Sequence, residues 1–386
     1  MPGELVAVTL APGPEWVDIV RAVWDSGAAL LPIDHRLPAT DQTALLRRAR
    51  PTLVLGPGGR SRPPGGIPTE PGVALVIHTS GTRGEPKLAQ FDHRAVDAAV
   101  AASASALHAT PQDRWLCCLP LAHVGGLLVL LRSVLLGAPV RVHPTFDPAA
   151  VSAERGAPFV SLVPTMLLRL LDAGVDLSRF RALLVGGAAL DASARERAEA
   201  ADARVVQTYG LTESCGGVVY DGRPFPGTAV RLDPGTGEIQ LRGPTLMRGY
   251  REDPPSTASA FTPDGWLRTG DAGKIEPDGR LRVEGRLDDL ITTGGEKVWP
   301  HEVEEALRDH PKVADVAVAA RPDAEWGERV VAFLVPREPA DPPSLEEIRD
   351  HVSRTLPRFK APRELVVLPR DVPRTSSGKI RRAALH

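Results

Sequence analysis

Apolar and polar positions in the first part of the chain alternate between two periods. Glu15–Trp24 carries apolar residues at helical spacing, Ala29–Ile33 is a short continuous apolar run, Thr43–Arg50 returns to helical spacing, and Thr52–Leu55 is again a short run. Such alternation predicts a mainly parallel sheet covered by helices, because parallel strands are buried on both faces. Gly56–Pro71, rich in Gly, Pro and Arg, predicts an exposed loop. A buried-strand run at Val73–Ile77 follows, then helix His93–Leu107, strand Trp115–Leu119, helix Gly125–Leu136 and strands Val140–Val142, Phe159–Leu162 and Ala182–Val185. From Gly227 to Leu281 the rhythm shifts to short strands with tight turns, as at 234–237 and 277–279, which predicts a small β subdomain. Beyond Asp289 it shifts again. Helix Pro300–Asp309 has Pro in its first turn, strands Val313–Ala319 and Arg329–Val335 follow, and helix Leu345–Leu356 opens with the capping-box pair Ser344 and Glu347 before strand Leu365–Leu368. The expected fold class is α/β: a large N-terminal domain of layered sheets and helices over 1–285, with a β subdomain at about 227–281, and an α+β C-terminal domain over 290–386.

Composition narrows the function classes. The 386 residues are 42% hydrophobic and 24% charged with a formal net charge of −2, an ordinary globular balance. Acids and bases are interspersed, so there is no electrostatic case for nucleic acid or a membrane surface. The most apolar segment, Val124–Val140, is interrupted by Arg132 and by glycines and is too short for a membrane span. Met1–Leu10 lacks the basic and apolar regions of a signal peptide. Cys117, Cys118 and Cys215 show no metal-site spacing and point to a reducing compartment, so a cytoplasmic location is expected. A homodimer is left open. Arg far outnumbers Lys; of the six lysines, Lys87 and Lys379 fall within motifs.

The sharpest local signal is Thr79-Ser80-Gly81-Thr82-Arg83-Gly84-Glu85-Pro86-Lys87, directly after a strand. Small hydroxyl residues and glycines let successive backbone N–H groups turn inward as an anion nest, and Lys87 adds a mobile positive charge. The glycine spacing differs from that of a Walker loop, and Leu88 stands where a metal-binding Ser or Thr would follow the lysine. Taken alone, a Gly-rich surface turn explains the loop equally well.

Four further motifs follow in order: Gln207-Thr208-Tyr209-Gly210-Leu211-Thr212-Glu213, Thr269-Gly270-Asp271, Gly285-Arg286-Leu287-Asp288-Asp289 and Pro373-Arg374-Thr375-Ser376-Ser377-Gly378-Lys379. In this order and at these separations the five resemble the core motifs of the adenylate-forming superfamily, over nearly the whole chain from about Val6. That superfamily includes acyl- and aryl-CoA ligases, peptide-synthetase adenylation domains and beetle luciferases. The resemblance implies cofactors ATP, Mg²⁺ and coenzyme A, the last as co-substrate, and a small-molecule carboxylic acid as partner. It implies that the β- and γ-phosphates are held by Thr79, Ser80, Gly81, Thr82, Gly84 and Lys87. Gly186, Gly187, Ala188 and Tyr209, with Gly210 beside them, would flank the adenine. Thr212 would bond phosphate, Glu213 would bind Mg²⁺, and Asp271 with Arg286 would hold the ribose. Arg83 departs from the Thr or Ser usual at its position. Singly, each residue has a structural alternative: a turn for Asp271, a core ring for Tyr209, a surface pair with Asp288 for Arg286.

Lys379 carries the chemistry the resemblance implies. Attack of a carboxylate on the α-phosphate develops negative charge that one ammonium can stabilise in the transition state. Position alone would make Lys379-Ile380-Arg381-Arg382 a disordered basic tail. Asp288 matches the family's hinge, 286–289, about which a mobile C-terminal domain turns between adenylation and thioester formation. Thr293-Gly294-Gly295 would then line the pantetheine channel. Pro120-Leu121-Ala122-His123-Val124-Gly125-Gly126 resembles the acyl-pocket motif, with His123 as its gate. With Leu162-Val163-Pro164-Thr165 and a short lead-in, the chain looks most like the compact o-succinylbenzoate–CoA ligases of menaquinone biosynthesis. That acid keeps a second carboxylate, for which Arg132 and Arg169 are the candidate cations; a solvent-facing helix position explains each as well.

Overall fold

Where the sequence runs apolar without interruption, strands are buried on both faces. The computed structural model describes residues 3–79, 86–156, 158–374 and 380–385. Within these, the chain divides into two compact units: Met1–Arg231, Gln240–Thr269 and Pro277–Leu281 in the first; Leu232–Ile239, Gly270–Glu276 and Arg282–His386 in the second.

The first unit holds two seven-stranded sheets. One runs Gly249–Tyr250, Leu88–Asp92, Val73–His78, Ala29–Pro32, Leu5–Val8, Leu53–Gly56, Gly59–Ser61. Its centre is parallel, and the strands Leu5–Val8, Ala29–Pro32 and Val73–His78 are buried throughout. The other runs Arg223–Pro224, Gly216–Tyr220, Val205–Leu211, Ala182–Val185, Phe159–Leu162, Trp115–Cys117, Val140–Val142, parallel from Val205–Leu211 onward. Helices Trp16–Asp25, Ala39–Ala49, His93–Ala106 and Val124–Leu136 form near the predicted positions. Asp92 caps the third of them by accepting from the Ala95 N–H at 2.8 Å.

Two elements depart from the sequence pattern. Leu88–Asp92 is a strand, antiparallel to Val73–His78, where the pattern runs from the Gly-rich loop straight to a helix. The stretch 227–281 is not uniform either, for Gly249–Tyr250 leaves its neighbours and extends the first sheet beside Leu88–Asp92. The remaining strands, Ala229–Leu232, Glu238–Arg242, Leu267–Ile275 and Leu281–Arg286, form a sheet in that order.

In the second unit Val313–Asp323 and Gly327–Pro336 pair along ten registers, joined by Ile291–Thr293, Glu296–Val298 and Glu364–Val367. Period-two alternation divides their side chains. Val316, Val318, Val330, Ala332 and Leu334 meet helices Pro300–Arg308 and Leu345–Val352. Ala317, Ala319, Val331 and Phe333 form the other face, covered by Val372, Leu385 and, half-buried, Ile380. The Ser344–Glu347 capping box is made in both directions, at 2.7 and 3.1 Å. Among the described residues no helix is long and apolar enough to cross a membrane.

Candidate functional site

The Gly-rich motif is flanked on both sides by strands of one antiparallel pair. Strands Val73–His78 and Leu88–Asp92 pair up to His78–Leu88, and the Thr79 N–H donates to the Lys87 carbonyl at 2.8 Å. Thr79 and Lys87, both half-buried, therefore stand opposite each other at the base of the loop. Ser80, Gly81, Thr82, Arg83 and Gly84 lie outside the described residues.

The motif around Tyr209 ends a strand of the second sheet. Val205–Leu211 pairs antiparallel with Gly216–Tyr220, with a register shift between Tyr209 and Gly210. A Cβ on Gly210 would lie 1.9 Å from the Gly216 carbonyl oxygen, so only glycine allows this close pairing. Thr212, Glu213 and Ser214 form a single tight turn, closed by the Ser214 hydroxyl accepting from the Leu211 N–H at 2.9 Å. Gly186, Gly187 and Ala188 follow the buried strand Ala182–Val185 in the adjacent position of the same sheet, with Gly187 and Ala188 exposed.

Glu213 is fixed from a direction the motifs do not reveal. The Tyr250 hydroxyl donates to Glu213 Oε1 at 2.7 Å, and the Met247 N–H donates to the Glu213 carbonyl at 2.9 Å. The Lys87 ammonium stands 4.9 Å from the centre of the Tyr250 ring. Tyr250 thus lies between Lys87 and Glu213, one from each of two separate sequence motifs. The signal that could have found it is scarcity, for the chain has three tyrosines.

His123 is the N-cap residue of helix Val124–Leu136, half-buried, its ring centre 5.7 Å from that of His78. Burial, helped by His123, pushes the His78 imidazole down to about 4, with Asp34 working the other way. Burial would raise the Asp34 carboxyl, but Arg36 grips it at 2.9 and 2.7 Å and holds it below the usual range. Neither His78 nor Asp34 belongs to a recognisable motif, and neither was anticipated.

The two candidate cations differ. Arg132 is 2% exposed. It donates to the Ser103 hydroxyl at 2.5 Å and lies 4.0 Å from the centre of the Trp115 ring. Its Nε and Nη1 have no hydrogen-bond partner among the described residues. Arg169 is exposed, with its guanidinium 5.2 Å from the centre of the Phe146 ring.

In the second unit Arg286 Nη1 donates to Asp271 Oδ1 at 3.1 Å, across neighbouring strands. Asp288 is exposed in the turn Leu287–Asp289. Gly294 and Gly295, at φ +59° and +83°, form the two-residue turn between Ile291–Thr293 and Glu296–Val298, a geometry that itself calls for glycine. Lys379 lies outside the described residues, as do Thr375, Ser376, Ser377 and Gly378. The residues around them are well anchored. Arg374 bridges Ile380, the Arg381 N–H donates to the Pro373 carbonyl at 2.8 Å, and Arg374 reaches both oxygens of Asp315 at 2.8 and 2.9 Å. Arg382 joins Glu304 at 2.6 Å and Asp289 at 3.3 Å.

The donor set suits a magnesium ion that arrives with a nucleotide. Such an ion keeps waters, takes oxygens from phosphates, and needs one or two carboxylates from the protein. Glu213 offers one, half-buried and oriented by a hydrogen bond. No group of three or more His, Cys, Asp or Glu side chains forms a metal cage among the described residues.

The chain matches the AMP-binding enzyme family over residues 58–251 and the AMP-binding enzyme C-terminal domain over 302–379. It is 42% identical over 332 residues to a probable 2-succinylbenzoate–CoA ligase of Mycobacterium tuberculosis, covering 81% of this chain and 84% of the relative. The o-succinylbenzoate CoA synthetase of Bacillus subtilis, in complex with its acyl-adenylate intermediate, superposes with a TM-score of 0.89 at 29% identity, covering 100% of this chain and 88% of that one. A malonyl-CoA ligase in a ternary product complex with methylmalonyl-CoA and AMP gives a TM-score of 0.66 at 35% identity, over 96% and 91% of the two chains. The chain belongs to the AMP-binding enzyme family, and with it to the adenylate-forming superfamily its motifs resemble.

Proposed function

We propose that the chain is an ATP-dependent acid–CoA ligase that joins a carboxylic acid to AMP and then passes the acyl group to coenzyme A, with o-succinylbenzoate as the acid and menaquinone biosynthesis as the setting. The observation that carries this reading is the 42% identity to the mycobacterial ligase over 81% of the chain. MgATP supplies the activating AMP group and the pyrophosphate that leaves.

The protein's part is to hold, orient and neutralise. Backbone N–H groups of the 79–87 loop and the Lys87 ammonium take the β- and γ-phosphates. The Tyr209 ring stacks on the adenine beside Gly186–Ala188, and Thr212 bonds phosphate. Glu213 gives a hard oxygen to Mg²⁺. Asp271, steadied by Arg286, accepts from the ribose hydroxyls. Lys379 neutralises the charge that develops as the acid attacks. The domains are proposed as 1–285 and 290–386, turning about 286–289, with Gly294 and Gly295 beside the pantetheine after the turn. Asp288→Pro then spares acyl-adenylate formation and suppresses thioester formation; equal loss of both steps overturns the hinge.

His123 gates the acid, and Arg132 meets its second carboxylate. A buried guanidinium with two unpaired nitrogens is costly by itself, and a substrate carboxylate would relieve it. Arg132→Leu raises KM for o-succinylbenzoate at unchanged KM for ATP, and an unchanged KM for the acid removes Arg132 from the pocket. The malonyl-CoA ligase similarity favours a second reading, a smaller dicarboxylic acid on the same site. One experiment separates the two: incubation with MgATP, CoA and either o-succinylbenzoate or malonate, with the thioester read by mass spectrometry. A malonyl thioester alone supports the second reading, and acid-dependent pyrophosphate release without CoA consumption points to a carrier-protein acceptor.

A further inference from the structure

The geometry points to Tyr250 as a positioning residue that couples the metal-binding carboxylate Glu213 to the phosphate-binding Lys87. This rests on the roles proposed for those two residues. Tyr250 is 9% exposed. Its hydroxyl meets Glu213 Oε1 at 2.7 Å while its ring lies 4.9 Å below the Lys87 ammonium. A phenol hydroxyl facing a carboxylate oxygen at this distance is the donor of the pair.

The backbone explains why this side chain can act as a strut. Gly249–Tyr250 pairs with Ala89 and Gln90, two and three residues beyond Lys87. The Arg251 N–H donates to the Leu88 carbonyl at 2.7 Å, and the Tyr250 N–H is held by the Thr257 hydroxyl at 2.8 Å. On the other side, Met247 holds the Glu213 carbonyl. The segment 247–251 therefore ties the outgoing strand of the Gly-rich hairpin to the turn that carries Glu213. Occupying one carboxylate oxygen with a fixed donor leaves the other to the metal and settles the plane of the group. Hydrogen-bond partners of metal ligands commonly contribute about 10- to 100-fold to metal affinity.

The test is calorimetric, on the full chain without any acid, titrating ATP in Mg²⁺ and ATP in EDTA. Tyr250→Phe removes the hydroxyl and keeps the ring: MgATP binding weakens about tenfold, metal-free ATP binding is unchanged, and the loss disappears when Tyr250→Phe is combined with Glu213→Gln. Tyr250→Leu also removes the ring from Lys87, so metal-free ATP binding weakens as well, by about two- to fivefold. Equal weakening by Tyr250→Phe with and without metal, or no weakening, overturns the coupling while leaving Glu213 as the metal ligand. Glu213→Gln that leaves the Mg²⁺ dependence intact overturns the metal role of Glu213 itself, and the coupling with it.

Discussion

Two motifs carry the lysines on which the proposed chemistry depends, and the residues that flank them are held differently. The 79–87 loop closes on strands that are almost entirely buried. Val76, Ile77, Leu88 and Ala89 are all at 0% exposure, and a backbone hydrogen bond joins Thr79 to Lys87. Residues 375–379 are bracketed by a bridge between Arg374 and Ile380, flanked by the ion pairs of Arg374 with Asp315 and of Arg382 with Glu304 and Asp289. The first base is fixed by apolar burial, while the second adds ion pairs to the apolar contact of Ile380. The proposed phosphate cradle would serve one geometry throughout, whereas the proposed part of Lys379 in one half-reaction alone would suit contacts that salt and water can exchange.

The largest effect should come from Lys379→Ala. Loss of one preorganised contact to developing charge costs about 10²–10³ in rate, read as acid-dependent exchange of pyrophosphate into ATP. Thioester formation from supplied acyl-adenylate should be nearly unchanged. A matching loss in both half-reactions would make the lysine structural and erase the functional side of the comparison. Arg382→Met comes next. Glu304 is 2% exposed and, among the described residues, keeps the Val318 N–H at 2.9 Å once the guanidinium is gone. Stranding a buried carboxylate costs about 3 kcal/mol, measured by denaturant unfolding, and adenylation should fall while MgATP binding stays intact. Unaltered stability would show that charge does not hold this base.

How much of this was legible in the sequence follows the same division. Continuous apolar runs such as Val73–Ile77 and Ala182–Val185 announce their strands, because burial on both faces leaves one pattern. Helix starts were readable where a cap was spelled out, as at Ser344 and Glu347. Leu88–Asp92 was not readable. Its five residues follow a Gly-rich loop and lead directly into a helix, and their strand character comes from the partners Val73–His78 and Gly249–Tyr250. Tyr250 and His78 escaped for a related reason: their contacts cross 37 and 45 positions of sequence to Glu213 and His123. Position alone is a poor guide to the C-terminal residues 380–385. Ile380 and Leu385 cover a face of the sheet that strand alternation alone leaves bare, so these two residues belong to the core. The Gly-rich and Lys379 motifs rest on residue type and order alone, since residues 80–85 and 375–379 lie outside the described residues.

The buried base should respond to acid. The His78 imidazole sits at about 4, well below the roughly 6.5 of an unfolded chain. Its Nδ1 has no partner among the described residues. Because the unfolded state takes up the proton first, this contribution to stability is complete above about pH 6.5 and is lost as the pH falls toward 4. Between pH 7 and pH 5 the loss amounts to about 2 kcal/mol. Denaturant melts at the two pH values check it, and His78→Gln should flatten the difference. A wild-type pH dependence that survives in the variant would assign the acid sensitivity elsewhere and leave the 79–87 base insensitive to both pH and salt.

The smallest effect is the one most specific to the comparison. Arg374 and Asp315 have side chains 35% and 33% exposed, so their pair is worth at most about 1 kcal/mol. Asp315→Asn should slow adenylation about twofold in low salt by loosening the entry to the 375–379 loop. MgATP binding depends on salt in its own right, so the informative quantity is the ratio of wild-type to Asp315→Asn rates. As ionic strength rises from about 0.05 to 0.5 M the Debye length shrinks well below 10 Å, the wild-type pair is screened, and the ratio should fall toward one. Thr79→Ser, at the apolar base, provides the contrast: any deficit it has should not change with salt. A ratio for Asp315→Asn that is equally flat would mean that the bridge and the Ile380 contact carry this base, and that both loops are held by burial after all.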